Sequence, residues 1–282
     1  MVEPAATGAV LAFYDAHPIN ERQIVDKLRQ DGHDPARVGE DVLKDYDQDH
    51  FGGVAANDAL AGLAGIDADS HVLDVCCGMG GPSRYLAHTY GCRVTGIDMN
   101  AGRVEGARRL TAIAGLGGRV KLEIGNALDM PLADATFDVL ISQEAFCHIP
   151  DKRRLIGECA RVLKPGGRMA FTDILATEAA DDAVRERLGA EMTFQELASR
   201  ESYRSALVDA GFEVVGIEDL SADWQVILVD RLAMYRRLRD QTVARFGAAH
   251  FEKWDRAYAF FVGLYRTGEL GGGRFLARRR GA

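Results

Sequence analysis

The sequence predicts an α/β fold built on a mostly parallel β-sheet, and three observations support this. The chain of 282 residues is 47% hydrophobic and 27% charged, which is ordinary for a globular protein and sufficient for one large domain or two modest ones. From residue 71 onward, short β-type runs alternate with helical stretches, a pattern typical of a parallel sheet with helical crossovers. The strands have no polar face, so we expect helices on both sides of the sheet.

The elements follow one another in a regular order, and glycine or proline interrupts them. Helical stretches end at Gly115, at the turn 164–167 and at Gly211, where residues of these types commonly stop a helix. The expected strands are 71–75, 93–97, 120–124, 137–142, 168–172, 212–217 and 274–277, and the expected helices are 83–90, 103–114, 151–163, 194–210, 221–246 and 251–267.

The first 65 residues differ from the rest, because they are polar and helical in pattern. We expect residues 1–65 to form an N-terminal helical segment or lid, and residues 66–282 to form the α/β domain. Within that domain, the stretch from about 218 to 270 is expected to be a helical insertion that caps one edge of the sheet.

Charge and cysteine content exclude several classes of protein. The formal charge is 34 − 42 = −8, which disfavours nucleic-acid binding because that requires a basic surface. The five cysteines (76, 77, 92, 147 and 159) are odd in number and lack CxxC spacing, so we expect neither a disulfide framework nor a zinc site. Reduced cysteines point to the cytoplasm, and we interpret the apolar stretch 5–14 as a helix start rather than a signal peptide.

A glycine-rich turn follows the first expected strand and opens the next helix, with the sequence Asp74-Val-Cys-Cys-Gly78-Met-Gly80-Gly81. Glycines allow the backbone to approach a ligand, and a helix start offers free N–H groups. The turn lacks the dinucleotide pattern G-x-G-x-x-G, because position 83 is serine, and it has no Gly-Lys-Ser/Thr sequence. A pyrophosphate ligand is therefore not indicated.

Two acidic residues stand at strand ends beside this turn. Asp98 follows Gly80 by 18 residues, where a carboxylate can accept hydrogen bonds from both ribose hydroxyls of an adenosine. Asp74, at the end of the first expected strand, could hold a cationic group. The alternatives are an N-cap role for Asp98 and a turn or cap role for Asp74. Taken together, the turn and both acids favour an adenosine ligand that carries positive charge instead of phosphate.

The same segment resembles motif I of class I S-adenosylmethionine-dependent methyltransferases, written acid-x-Gly-x-Gly-x-Gly, and the resemblance extends over about residues 70–275. The chain keeps Asp74, Gly78 and Gly80, and has Cys76 at the first glycine. This resemblance implies a Rossmann-like, seven-stranded, mostly parallel methyltransferase sheet and S-adenosylmethionine as cofactor. It further implies a cofactor site in which Asp98 holds the ribose and the adenine lies beside Met99, Asn126 and Ala127.

A second polar segment, Ser142-Gln-Glu-Ala-Phe-Cys-His148-Ile-Pro-Asp-Lys152, follows the fourth expected strand. Ligands of open α/β sheets bind at the carboxyl ends of the strands, so these side chains are expected near the reacting centre. His148 could remove a proton from an amine or a hydroxyl, or it could order the loop instead. Gln143 and Glu144 could contact cofactor or substrate, although Glu144 could equally lie at a solvated helix start.

This segment is similar to that of the sarcosine/dimethylglycine N-methyltransferases and, less closely, of the phosphoethanolamine N-methyltransferases. The latter use a loop histidine, which His148 matches, together with a tyrosine from the N-terminal segment. We expect the partner among residues 46–53, where Tyr46 and His50 are the candidates.

The acceptor remains open at this point, because the wider group also includes quinone, tocopherol and sterol methyltransferases. N-methylation of a small amine is the first hypothesis, and O- or C-methylation of a larger apolar metabolite is the second. A cofactor-binding scaffold without turnover is the third. Aromatic residues of the expected cap could form a cage for a methylated ammonium, but we favour an ordinary helix core for them. They are Trp224, Tyr235, Trp254, Tyr258, Phe260, Phe261 and Tyr265.

Overall fold

The computed structural model describes residues 4–15 and 19–281 of the chain, with side chains from residue 8 onward. The helices are α1 (Pro4–Asp15), α2 (Glu21–Gln30), α3 (Glu40–Leu43), α4 (Gly53–Ala64), α5 (Gly81–Tyr90), α6 (Ala101–Ile113), α7 (Lys152–Val162), α8 (Asp182–Met192), α9 (Arg200–Asp209), α10 (Ser221–Arg237), α11 (Arg239–Phe246) and α12 (Ala248–Thr267). The strands are β1 (His71–Val75), β2 (Arg93–Asp98), β3 (Val120–Ile124), β4 (Phe137–Gln143), β5 (Leu163–Ala176), β6 (Phe212–Asp219) and β7 (Leu270–Arg279).

Within the described residues, these strands form one seven-stranded sheet in the order β3-β2-β1-β4-β5-β7-β6. Strands β1 to β5 are parallel, and β7 runs antiparallel between β5 and β6. The strand order reverses between β1 and β4, which is the position where open α/β sheets bind ligands. The predicted seven-stranded, mostly parallel sheet is thereby confirmed.

Apolar side chains on the two faces of the sheet form separate cores. Leu73 and Val75 of β1 belong to one buried cluster, whereas Val72 belongs to the cluster on the opposite face, as the alternation of side chains along a strand requires. Leu60 of α4 packs in the second cluster, so the end of the N-terminal segment rests directly on the sheet. Burial of both faces explains why the strand sequences lack a polar side.

Several element bounds differ from the sequence prediction. The expected helix 194–210 begins only at Arg200, because Ser199 forms a capping box with Ser202. The preceding helix α8 was not predicted, and it ends at Thr193, whose backbone is left-handed (φ +57°). The predicted helix 221–246 is divided at Leu238 into α10 and α11.

The turn predicted at 164–167 lies inside β5. Phe137 pairs with Leu163 and Val139 pairs with Arg168, so the intervening residues form an irregularity of the β4–β5 ladder and do not end the strand. A sequence signal for a turn therefore marks a bulge at this position.

The helices outside the sheet form two further apolar clusters. Helices α8, α10 and α12 share one buried cluster that includes Leu188, Leu228 and Phe261. The N-terminal helices α2 and α3 pack in another cluster with α6. The division at residues 65/66 and the cap at 218–270 stay predictions. None of the helices in residues 4–15 and 19–281 has the length and apolar character needed to cross a membrane.

Candidate active site

A cavity of about 300 Å³ lies at the carboxyl ends of β1, β2 and β4, between the N-terminal helices and the cap. Ten of the twelve site residues named from the sequence line it: His50, Asp74, Cys76, Gly78, Asp98, Met99, Asn126, Ala127, Gln143 and His148. Gly80 and Tyr46 do not. The position agrees with the strand-order reversal described above.

The glycine turn is shaped by backbone conformations that few side chains adopt. Cys76, Gly78 and Gly80 all have positive φ, at +64°, +52° and +73°. A Cβ on Gly80 would lie 3.0 Å from the Arg84 guanidinium, so Gly80 permits close packing behind the turn and does not face the cavity. The left-handed backbone at Cys76 accounts for the glycine in the motif that this turn resembles, since glycine adopts it without strain.

Asp74 is buried at the end of β1. Its Oδ2 accepts a hydrogen bond from the Ser83 hydroxyl at 2.6 Å, and burial raises the pKa of the carboxyl to about 6. Asp74 lines the cavity, so a bound cation there would stabilise its ionised form.

Asp98 is held by two backbone amides. Its carboxylate accepts from the N–H of Gly78 at 2.9 Å and from the N–H of Asn100 at 2.8 Å, while burial raises its pKa. The N-cap of α6 is Asn100, whose side chain accepts from the N–H of Arg103. The alternative role of Asp98 as an N-cap is therefore wrong, and the carboxylate is oriented at the cavity wall.

Asn126 occupies the turn after β3. Its Oδ1 accepts from the N–H of Leu128 at 2.9 Å, which leaves one lone pair on that oxygen and both amide hydrogens for other partners. Met99 and Ala127 line the same part of the cavity. These three side chains give this part of the cavity both apolar and polar groups.

Gln143 ends β4 with its two amide atoms in different surroundings. Nε2 donates to Asn57 Oδ1 at 2.8 Å, whereas Oε1 is buried without a hydrogen-bond partner among the described residues. A buried unsatisfied acceptor costs about 1–3 kcal/mol. The site therefore offers this oxygen to a ligand that carries a donor.

His148 lies between a hydrogen-bond acceptor and a hydrogen-bond donor. Its Nδ1 lies 3.1 Å from the carbonyl oxygen of Thr193, which can only accept, so the proton of the neutral ring is on Nδ1. Nε2 is then an acceptor, and the hydroxyl of Tyr14 lies 2.9 Å from it. Burial raises the pKa of Tyr14 well above its usual range, so this hydroxyl keeps its proton and donates it to His148.

A buried network holds the loop that carries His148. Asp173 accepts from the N–H of Cys147 at 3.1 Å and from the hydroxyl of Tyr203 at 2.6 Å. Lys152 donates to the carbonyl of Glu196 at 2.7 Å. The loop after β4 is thereby tied to the segment after α8, and Thr193 in that segment orients the imidazole.

The structure does not bring Tyr46 to the cavity. Its hydroxyl donates to Asp31 at 2.9 Å on the surface of the N-terminal segment, so the prediction that residues 46–53 supply the tyrosine partner of His148 is wrong. Tyr14 of α1 occupies that position. No periodicity or motif singles out Tyr14 in the sequence, and only its aromatic side chain in the N-terminal segment could have suggested it.

His50 and Glu144 both line the cavity, and burial shifts the pKa of each. Both ring nitrogens of His50 are buried without a partner among the described residues, and burial lowers its pKa to about 4. Glu144 accepts from the N–H of Phe51 and from the hydroxyl of Thr172, each at 2.6 Å. Burial raises its pKa to about 7, so the alternative of a solvated helix start is wrong for Glu144.

Arg103 and Asn100 attach the N-terminal segment beside Asp98. Arg103 donates to Asp49 at 3.1 Å and to the carbonyl of Ile19 at 3.2 Å, and Asn100 donates to Asp15 at 2.8 Å. Sequence reasoning did not identify these three contacts. Within the described ranges, they place α1 and the segment after α3 over the opening of the cavity.

The cap aromatics divide into two groups. Trp224 and Tyr265 are core residues, and Tyr235 stacks on Phe251 outside the cavity at 4.9 Å between ring centroids. Trp254 and Tyr258 line the cavity, as does Phe261, which also belongs to the core cluster, and Phe260 packs against that cluster. The preference for an ordinary core thus holds only for part of this group.

Comparison with known proteins places these features in context. A family model described as a methyltransferase domain matches residues 73–171. The chain is 34% identical to the sarcosine/dimethylglycine N-methyltransferase of Halorhodospira halochloris over 54% of each chain. It is also 34% identical to the 27-O-demethylrifamycin SV methyltransferase of Amycolatopsis mediterranei, over 69% of this chain and 73% of the relative.

Among solved structures, the chain is similar to a putative sarcosine dimethylglycine methyltransferase from Galdieria sulphuraria, with a TM-score of 0.77 over 93% of this chain and 99% of that chain. Sequence identity is 21%, so this likeness concerns the fold alone. The chain spans 29% to 54% of the length of the curated N-methyltransferase relatives that it matches.

Proposed function

The chain belongs to the S-adenosylmethionine-dependent small-molecule methyltransferases, and on that premise we propose that it transfers a methyl group to a small amine. The observation that carries this proposal is the hydrogen bond between Tyr14 and His148 at 2.9 Å. This pair lies in the same cavity as the glycine turn and Asp98.

The residues present fit the cofactor. Asp98 would accept from the ribose hydroxyls, and Met99, Asn126 and Ala127 would line the adenine. The unpartnered Oε1 of Gln143 would accept from the ammonium group, and Cys76 and Gly78 line the same cavity beside it. When bound, S-adenosylmethionine supplies a methyl group that its sulfonium makes electrophilic.

Tyr14 and His148 would remove the proton that the amine must lose. The Tyr14 hydroxyl would pass its proton to Nε2 of His148 and take the proton of the acceptor in return. The resulting imidazolium keeps Nδ1–H on the Thr193 carbonyl, so the ring need not turn during the transfer. Asp173 and Lys152 hold the loop in place and do not touch the reacting atoms.

The walls around this pair suit a small cationic acceptor. Trp254 and Tyr258 offer ring faces that attract an ammonium group, and the buried carboxyl of Glu144 lies in the same wall. His50 would complete its two missing hydrogen bonds with polar groups of the acceptor.

The decisive experiment is incubation of the protein with methyl-deuterated S-adenosylmethionine and a panel of small primary, secondary and tertiary amines, phenols and quinols. Mass spectrometry would locate the label in the product. We expect labelled N-methyl products, and much less of them with Tyr14→Phe. Label found only on oxygen or carbon would overturn the N-methyl assignment, and cofactor binding without any product would favour a scaffold.

O-methylation is the second candidate, and one observation favours it. The relative with the 34% identity over 73% of its length is named as a methyltransferase of 27-O-demethylrifamycin SV. A Tyr14–His148 relay would deprotonate a hydroxyl by the same route. The panel above separates the two candidates, because it contains both kinds of acceptor.

We also propose a cytoplasmic location. All five cysteines are free, as is usual in a reducing compartment. The formal charge of −8 supports a small-molecule partner rather than a nucleic acid.

A further inference from the structure

A chain of side-chain hydrogen bonds runs from a buried ion pair to Gln143. Gln48 Nε2 donates to Asp47 Oδ1 at 2.8 Å, and Asn57 Nδ2 donates to Gln48 Oε1 at 2.8 Å. Gln143 Nε2 then donates to Asn57 Oδ1 at 2.8 Å. Asp47 and Asn57 are only 2% and 1% exposed, so water competes little for these bonds.

Asp47, the first residue of this hydrogen-bond chain, acts as an acceptor. Asp47 accepts from the Arg84 guanidinium, which has only donors to give. Glu40 lies beside the same guanidinium, with Oε2 at 3.4 Å from Nε of Arg84. Burial raises the pKa of both carboxyls, that of Glu40 to about 8. Of the two, only Asp47 accepts a hydrogen bond from the guanidinium, while both Glu40 oxygens lack a hydrogen-bond partner among the described residues, so the negative charge of this group is on Asp47.

The polarity of the chain follows from that charge. A side-chain amide has one donor end and one acceptor end, so the orientation of each amide dictates that of the next. An ionised Asp47 requires a donor, so Gln48 turns its oxygen to Asn57, and Asn57 turns its own oxygen to Gln143. The last group of this series of hydrogen bonds is then the acceptor oxygen of Gln143. It is buried without a partner among the described residues.

We propose that Asp47, Gln48 and Asn57 are positioning residues that orient Gln143 so that it presents an acceptor, and not a donor, to the ammonium group of the cofactor. With the opposite polarity, the Gln143 amide hydrogens would face that cation. The proposal rests on the cofactor-site part of the proposed function and is independent of which acceptor is methylated.

Close packing holds the first two residues of this hydrogen-bond chain against the glycine turn. A Cβ on Gly81 would lie 2.5 Å from the carbonyl oxygen of Asp47 and 2.9 Å from Nε2 of Gln48. Residues 47 and 48 thus lie directly against Gly81, the first residue of α5. The segment that covers the site therefore also sets the orientation of the Gln143 amide in that site.

The test compares two nucleosides that differ in the group concerned. S-adenosylhomocysteine carries the ammonium, whereas 5′-methylthioadenosine lacks the amino-acid part. Calorimetry would give both dissociation constants for the wild type, for Gln48→Met and for Asp47→Asn. Gln48→Met breaks the chain and leaves the Asp47–Arg84 pair intact, and Gln30→Met on the exposed end of α2 is the matched control.

We expect Gln48→Met to weaken S-adenosylhomocysteine binding about tenfold, the equivalent of 1.4 kcal/mol, and to leave 5′-methylthioadenosine binding within twofold. Asp47→Asn, which can offer either a donor or an acceptor to Gln48, should show the same selective loss, and Gln30→Met none. An unchanged ratio of the two constants in whichever variant folds overturns the proposal, whether both affinities fall or neither does. Failure of the wild type to bind either nucleoside would instead refute the cofactor site itself.

Discussion

The hydroxyl of Tyr14 lies 2.9 Å from Nε2 of His148, although 134 residues separate them in the sequence. If this pair relays the acceptor proton, Tyr14→Phe should lower kcat about 100-fold, the lower end of what general base catalysis contributes. The affinity for S-adenosylhomocysteine should stay within twofold, because neither side chain is assigned to the cofactor. Steady-state kinetics and calorimetry would measure the two quantities.

Tyr46→Phe is the matched control, because its hydroxyl bonds to Asp31 on the surface, and kcat should not change. The double variant Tyr14→Phe/His148→Asn should be hardly slower than either single variant, since both remove one relay. Fully additive losses would contradict a shared role.

Asp98→Ala should weaken S-adenosylhomocysteine binding at least tenfold, since it removes a charged hydrogen-bond acceptor worth about 1.4 kcal/mol or more. Asp69→Ala, at an exposed position two residues before β1, serves as the control and should bind normally. Unchanged calorimetric affinity of the Asp98 variant would refute the ribose assignment.

Gly81→Ala should displace the segment that covers the cavity. The added methyl group would meet the Asp47 carbonyl at 2.5 Å, and a backbone atom cannot yield without moving the segment. We expect weaker S-adenosylhomocysteine binding and faster proteolysis of the first 65 residues.

Gly157→Ala is the matched substitution in the middle of α7, where a Cβ meets nothing within 4 Å. It should stabilise the protein by about 0.5–1 kcal/mol and leave binding unchanged. Equal behaviour of the two alanine variants would show that the predicted clash at Gly81 is absent.

Glu40→Gln should change how stability depends on pH. In the folded protein Glu40 keeps its proton up to about pH 8, against an ordinary value of 4.5. Since the folded state then binds more protons than the unfolded state between these values, the free energy of unfolding should fall as pH rises from 4.5 to 8.

This fall is limited to about 1.4 kcal/mol per pH unit for one group. Glu40→Gln removes this contribution, so the variant should equal the wild type below pH 4.5 and exceed it at pH 8. Urea denaturation across this range would measure both curves. Parallel curves for the two proteins would contradict the assignment of the proton to Glu40.

The sequence was sufficient to predict the features that depend on short local patterns. The strand ends, the glycine turn and Asp98 follow from short patterns, because the carboxyl ends of parallel strands meet at one edge of the sheet. The family likeness predicted a tyrosine partner for His148 but not its position. That contact depends on how α1 crosses the cavity, and no pattern in the neighbouring residues encodes it.

Some predicted bounds of helices and strands were wrong, for a different physical reason. The turn signal at 164–167 is real, but the β4–β5 ladder continues past it. Helix α8 ends at Thr193 in a left-handed conformation that is unusual for a β-branched residue. There, tertiary contacts outweigh local propensity, and the carbonyl that results from this strained end is the one that orients His148.

Placement of Tyr14 on the first helix has a practical consequence for anyone who handles this protein. A shortened chain that begins at residue 19 would keep every strand of the sheet and all of the glycine turn, yet it would lack the hydroxyl that meets His148. Such a shortened protein should melt like a well-folded enzyme and still lose at least as much activity as Tyr14→Phe. A bulky fusion at the amino end could cause the same loss.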